Sequence, residues 1–144
     1  MEPIKNRALL KQVDLQRSES PEAIVNMLCE ALGLQSKNHT EAEMLQNIAE
    51  NSLKGTGVTS KSLSKKFGLP RSTVIYKLNY FINTGLVIRR GRQYYLRGLR
   101  LEDTIEELEA EMQAEFEKLA KLASKFDEFM ASEIYGRSQK RRRQ

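Results

Sequence analysis

The sequence predicts a mainly α-helical chain that carries one small β-hairpin and ends in a long helix of coiled-coil type. Three observations carry that expectation. Short segments with apolar residues three and four apart, separated by glycines, fill residues 20–85, and such spacing gives each helix one apolar face. Next, Leu86-Val87-Ile88, Gly91-Arg92 and Tyr94-Tyr95-Leu96 read as a strand, a two-residue turn with glycine first, and a returning strand. Finally, residues 101–134 contain neither glycine nor proline, and their apolar residues recur in heptads.

The elements follow in order. Residues 1–17 are mixed in character and read as an arm or a short helix. Ser20 is placed to cap a helix with Pro21 at its first position and Gly33 as its stop. Ile24, Leu28 and either Ala31 or Leu32 are its expected apolar stripe. Thr40, with Glu43 three residues on, matches a capping box. The helix it opens carries Met44, Leu45, Ile48 and Leu53 and stops at Lys54-Gly55. Val58 reads as a short extended link, and Thr59 or Ser60 caps the short helix KSLSKKF. Gly68 ends that helix, Leu69-Pro70 begin another with Val74, Leu78 and Phe81 inward, and Gly85 closes it.

The long helix is written most simply in heptads. One seam position holds Ile105, Met112, Leu119 and Phe126, and the other holds Leu101, Leu108, Glu115, Leu122 and Phe129. Glu115 interrupts the seam, with Phe116 beside it. A helix folded back on its own domain is the alternative, but a period sustained this long favours pairing between two chains. Ile105, Leu108, Met112, Leu119, Leu122, Phe126 and Phe129 are the expected dimerisation residues of a homodimer. The chain thus divides into an arm and accessory helix (1–39), a compact domain (40–99), a coiled-coil dimerisation helix (100–135) and a basic tail (136–144). The tail, which carries Lys140-Arg141-Arg142-Arg143, has no apolar residue after 136 and is expected to be disordered.

Charge is sharply segregated. Residues 1–50 carry a net −3, residues 51–101 a net +11 with no carboxylate, residues 102–136 a net −8, and the tail +5. A solvated surface normally mixes both signs. A carboxylate-free block of this length points to a polyanionic partner, because each carboxylate facing phosphate costs Coulomb energy and forfeits counterion release.

Other classes fall away. One cysteine, Cys29, excludes an intramolecular disulfide, and with one histidine, His39, the chain has too few soft ligands for a structural zinc site. Cys29 reads as a small core residue and His39 as a loop residue. No nucleophile–base pair or phosphate-cradling glycine loop is visible, so no enzyme and no cofactor is expected. No segment approaches a membrane span, and a soluble, cytoplasmic, nucleoid-associated protein is the expectation.

The stretch VTSKSLSKKFGLPRSTVIYKLNYFINTGLVIRRGRQYYL resembles the winged helix-turn-helix of the bacterial and archaeal regulators of the arsenical-resistance and multiple-antibiotic-resistance type. Leu63 and Phe67, Gly68-Leu69, Ser72-Thr73-Val74, Leu78 and Gly85-Leu86-Val87 carry the likeness over about residues 41–98. Archaeal members with a long C-terminal helix are most similar in look. The resemblance implies a double-stranded DNA-binding transcription regulator. Metal-sensing members use clustered Cys, His and carboxylates that this chain lacks.

With Val74, Leu78 and Phe81 inward, a helical wheel sets Ser72, Tyr76, Asn79 and Asn83 on the opposite face, flanked by Arg71, Thr73 and Ile75. In a recognition helix over about 70–83, Arg71 suits guanine, Asn79 suits adenine and Ile75 suits a thymine methyl. Ser72 and Thr73 suit phosphate at the positive helix end. Lys61, Lys65 and Lys66 on the supporting helix, Lys77, and the wing Arg89, Arg90 and Arg92 complete the expected contact set. Paired subunits are expected to read half-sites about one helical turn apart or a multiple of it. The alternative is a winged-helix protein-interaction or RNA-binding module in a transcription or replication assembly. RNA readers stack bases on open aromatic surfaces, whereas Tyr76 and Tyr80 lie on a helix here.

Overall fold

The computed structural model describes Val13, Leu15, residues 20–34 and residues 40–143, with 137–143 as backbone. The rest of the expected N-terminal arm, and the loop assignment of His39, lie outside the described residues. The elements are α1 (Pro21–Ala31), α2 (Thr40–Leu53), β1 (Val58–Thr59), α3 (Ser60–Phe67), α4 (Arg71–Asn83), β2 (Val87–Arg90), β3 (Gln93–Leu96) and α5 (Leu101–Arg143). The chain is thus mainly helical with a small antiparallel sheet and a long C-terminal helix. It forms two units, Met1–Ile105 and Glu106–Gln144.

In the first unit, Ser20 caps α1 by accepting from the Ala23 N–H at 3.1 Å, with Pro21 in the first turn. The buried face of α1 is Val25, Cys29 and Ala31, while Ile24 is 40% exposed. The expected stripe of Ile24 and Leu28 is therefore rotated by one residue. Both sets have helical spacing, and contact with α2 selects between them. Ile24 and Leu28 instead line an apolar groove with Val13 and Leu15. Thr40, the expected cap of α2, is already helical. Leu53, expected inside, is exposed, and Ser52 beside it is buried. Ser52 Oγ accepts the Leu96 N–H at 2.9 Å, tying the end of α2 to β3.

Val58 is more than a link. With Thr59 it pairs antiparallel to β3, Val58 opposite Tyr94, so the sheet has three strands in the order β1-β3-β2. Gly57 is required at this crossing, since a Cβ there would lie 2.7 Å from Gln93 Cβ and from the Tyr95 ring. Thr59 is the cap of α3, in a reciprocal box with Ser62. Gly68 ends α3 in the left-handed region, Pro70 precedes α4, and helical geometry begins at Arg71. Val74, Leu78 and Phe81 of α4 are wholly buried. They share the core with Met44, Leu45 and Ile48 of α2, Leu63 of α3, and Leu86, Val87 and Leu96 around the hairpin.

The β2–β3 hairpin turns through Gly91 and Arg92, with Gly91 at φ 64 and Arg90 opposite Gln93. Thr104, fully buried, anchors the entry to α5. Its Oγ1 accepts the Gly98 N–H at 3.0 Å and donates to the Arg100 carbonyl at 2.8 Å.

The second unit is the body of α5. Its backbone is helical through Arg143, so the helix runs past the expected boundary at residue 136. A single glycine in a helix interior costs about 1 kcal/mol against alanine, too little to end a helix of this length. Leu119, Leu122, Phe126 and Phe129 of the heptad seam are exposed, as is Phe116. None of the helices among the described residues is long and apolar enough to cross a membrane.

Candidate nucleic-acid interface

Three elements of the first unit bring the candidate residues together: α3, α4 and the β2–β3 hairpin. The geometry between α3 and α4 is clamped at several points. Gly68 supplies the left-handed cap, and the Gly68 and Leu69 N–H groups both reach the Ser64 carbonyl. Ser64 Oγ donates to the Leu69 carbonyl at 2.5 Å. Arg71 Nε donates to Ser60 Oγ at 3.2 Å, joining the start of α4 to the start of α3. That bond uses Nε alone, and Arg71 remains exposed. The helix start is pre-organised by contacts within the fold.

Burying Val74, Leu78 and Phe81 turns the opposite face of α4 to solvent. Arg71, Ser72, Ile75, Tyr76 and Asn79 are exposed, and Thr73 is half-buried. Tyr76 is 75% exposed. No side chain caps α4, since Pro70 holds the N-cap position. Its first N–H groups therefore form a positive end beside Ser72 and Thr73.

Lys61, Lys65 and Lys66 are exposed along α3. At the hairpin, Arg90 and Arg92 are exposed at the tip. Arg89 is spent differently: its Nε donates to the Gly91 carbonyl at 2.7 Å, and its guanidinium lies 5.6 Å from the centre of the Tyr94 ring. Tyr94 itself is buried. Tyr95 is half-buried against Gly57.

Lys77 does not join this set. Its ammonium pairs with Glu41 of α2 at 2.5 Å, both side chains largely buried, beside a shallow depression lined by Gly33, Leu34, Tyr76 and Tyr80. Lys77 sits three residues from Val74 on the helix and so borders the core face. A position counted in the basic block is thereby neutralised by a carboxylate 36 residues away, a pairing that sequence spacing does not reveal.

Cys29 is buried, and desolvation, reinforced by the charge of Glu41, pushes its thiol up to about 11. It stays protonated at neutral pH, as a core residue should. Among the described residues no group of three or more His, Cys, Asp or Glu is placed to hold a metal ion.

No protein-family model, curated protein or solved structure matches this chain. The chemistry must be read from the surface itself. That surface combines exposed cations on α3 and the hairpin tip with short polar groups and a guanidinium on α4. Every residue from 51 to 101, which includes all three elements, lacks a carboxylate.

Proposed function

We propose that the chain is a sequence-specific, double-stranded DNA-binding transcription regulator that acts as a homodimer. In this reading α2, α3, α4 and the hairpin form a winged helix-turn-helix, α4 enters the major groove, and the Arg90-Gly91-Arg92 tip is a wing on the backbone or in the minor groove. The observation that carries the reading is the carboxylate-free stretch 51–101, which supplies α3, α4 and the hairpin, with Arg71, Ser72 and Asn79 exposed on α4. Such a surface suits phosphate, and the exposed groups on α4 are short or planar, as base-edge contact requires.

Dimerisation draws on a separate observation. Leu119, Leu122, Phe126 and Phe129 form an exposed apolar stripe on α5, and stripes of this size are normally covered by another surface. One observation favours a different partner: Tyr76, 75% exposed on α4, offers a stacking surface for unpaired bases.

Titrating labelled duplex, single-stranded DNA and RNA with the protein at low salt separates the readings. The proposal expects the duplex to be preferred and one sequence family to be enriched from a random duplex pool. An absence of duplex binding at low salt removes it, and tighter binding of RNA or single strands transfers the function to Tyr76 and its neighbours.

A further inference from the structure

We propose that α5 pairs with α5 of a second copy in the antiparallel sense, crossing at Glu117, so that Glu115 of each chain lies beside Leu119 and Lys118 of its partner. The inference rests on the homodimer reading and adds its orientation, which the heptad pattern leaves open.

The charges along α5 carry the argument. Residues 106–116 hold Glu106, Glu107, Glu109, Glu111 and Glu115 and no Lys or Arg. Residues 118–125 hold Lys118, Lys121 and Lys125 and no carboxylate. In a parallel pair in register every residue meets its own copy. The acidic segment then faces itself, and Glu115 faces Glu115 across the seam, where the surroundings are apolar and like charges repel most.

Reversing one helix removes both conflicts. Antiparallel pairing sets one heptad position against the other. Of the registers that pair all four exposed seam residues, Leu119, Leu122, Phe126 and Phe129, the one with the longest seam puts Leu108 against Phe126, Met112 against Leu122, and Glu115 against Leu119, and each of these pairs is centred on residue 117. Residues 106–116 then lie along the partner's residues 118–128, which hold the three lysines together with Asp127 and Glu128.

The positions flanking the seam agree. In this register Glu111 comes opposite Lys125 of the partner, twice by symmetry. In the parallel register the same flanking positions bring Glu111 to Phe116 and Lys125 to Met130, with no complementary charge. At the crossing, Glu115 already sits 2.9 Å from Lys118 of its own chain, and both side chains are more than two-thirds exposed. A partner arriving antiparallel adds a second Lys118 to the same carboxylate. The one residue that interrupts the heptads is thus the residue best placed to fix orientation and register, a role that single polar seam residues are known to play.

Cross-linking decides the orientation. Met112→Cys and Leu122→Cys chains, carrying different tags, are mixed and oxidised; Cys29, wholly buried, supplies no competing thiol. The antiparallel register expects disulfides joining the two variants to each other and none joining either to its own copy. Ten residues of helix separate the wrong pairings by about 15 Å, far beyond disulfide reach. Cysteines that link like to like would overturn the proposal.

A charge cycle provides a second readout that leaves the seam intact. Glu111→Lys and Lys125→Glu should each raise the dimer dissociation constant about five-fold, through two exposed pairs per dimer, and the double variant should recover most of the loss. These positions lie about 21 Å apart on one chain, so coupling between them must pass through the partner; purely additive effects count against the antiparallel register. Sedimentation of the wild type keeps the two claims apart. A monomer removes the dimer reading and the pairing with it, whereas a dimer whose cysteines link like to like removes the orientation alone.

Discussion

Replacing Lys65 and Lys77 by alanine, one at a time, tests whether the surface around α4 binds phosphate. The two residues carry the same charge in the same basic block, yet Lys65 is exposed on α3 and Lys77 is held by Glu41. Seven of the candidate cations are exposed, and setting aside Arg89, whose guanidinium is engaged within the hairpin, leaves six: Lys61, Lys65, Lys66, Arg71, Arg90 and Arg92. If each neutralises one phosphate, log K should fall with log salt at a slope of about −5 per subunit, weakening binding about 10³-fold between roughly 50 and 200 mM. Lys65→Ala should flatten that slope by about 0.9.

Lys77→Ala should leave the slope unchanged and act on stability instead. It withdraws a cation from a carboxylate whose side chain is 12% exposed, a loss on the order of 1–3 kcal/mol. For a domain of this size that lowers Tm by roughly 4–8 °C for each kcal/mol. Fluorescence anisotropy of a labelled duplex across a salt series, with thermal melts of the same samples, measures both quantities. A Lys77 variant that flattens the slope as much as the Lys65 variant would refute the assignment. So would a Lys65 variant with an unchanged slope.

Other expectations follow from the same geometry. Arg71→Ala and Asn79→Ala should each relax preference at one or two base pairs, by roughly 1–3 kcal/mol per lost bidentate contact, while Arg90→Ala with Arg92→Ala should weaken all duplexes alike. Selection from a random duplex pool distinguishes the two patterns, and wing variants that alone change the preferred sequence would reverse the roles. Leu108→Glu together with Leu119→Glu should place a charge in each half of the α5 seam and yield monomers with weak DNA binding, as read by sedimentation at tens of micromolar. Ser52→Ala should strand the buried Leu96 N–H and destabilise the first unit by about 1–3 kcal/mol; a melt unchanged from wild type would mean that another acceptor takes its place.

Local chemistry was legible from the chain alone. Ser20-Pro21, the start of α3 at Thr59 or Ser60, Gly68 and Gly91 each act within a few residues, so caps and turns can be read without knowing the rest of the fold. The apolar face of α4 was equally plain, because Val74, Leu78 and Phe81 leave only one arc to bury. Charge segregation and the heptads of α5 are properties of sequence order itself, and they supply the functional reading.

Tertiary structure decided what depends on distant partners. Val58-Thr59 is too short to show a strand period and became β1 because the edge of β3 lay beside it. On α1, Ile24–Leu28 and Val25–Cys29 have the same spacing, and the position of α2 chose between them. Ser52 and Leu96 meet across 44 residues, and Lys77 and Glu41 across 36. The exposed cations, not the basic block as a whole, define the candidate surface, because a charge is available to a ligand only where folding has not already brought it an internal partner.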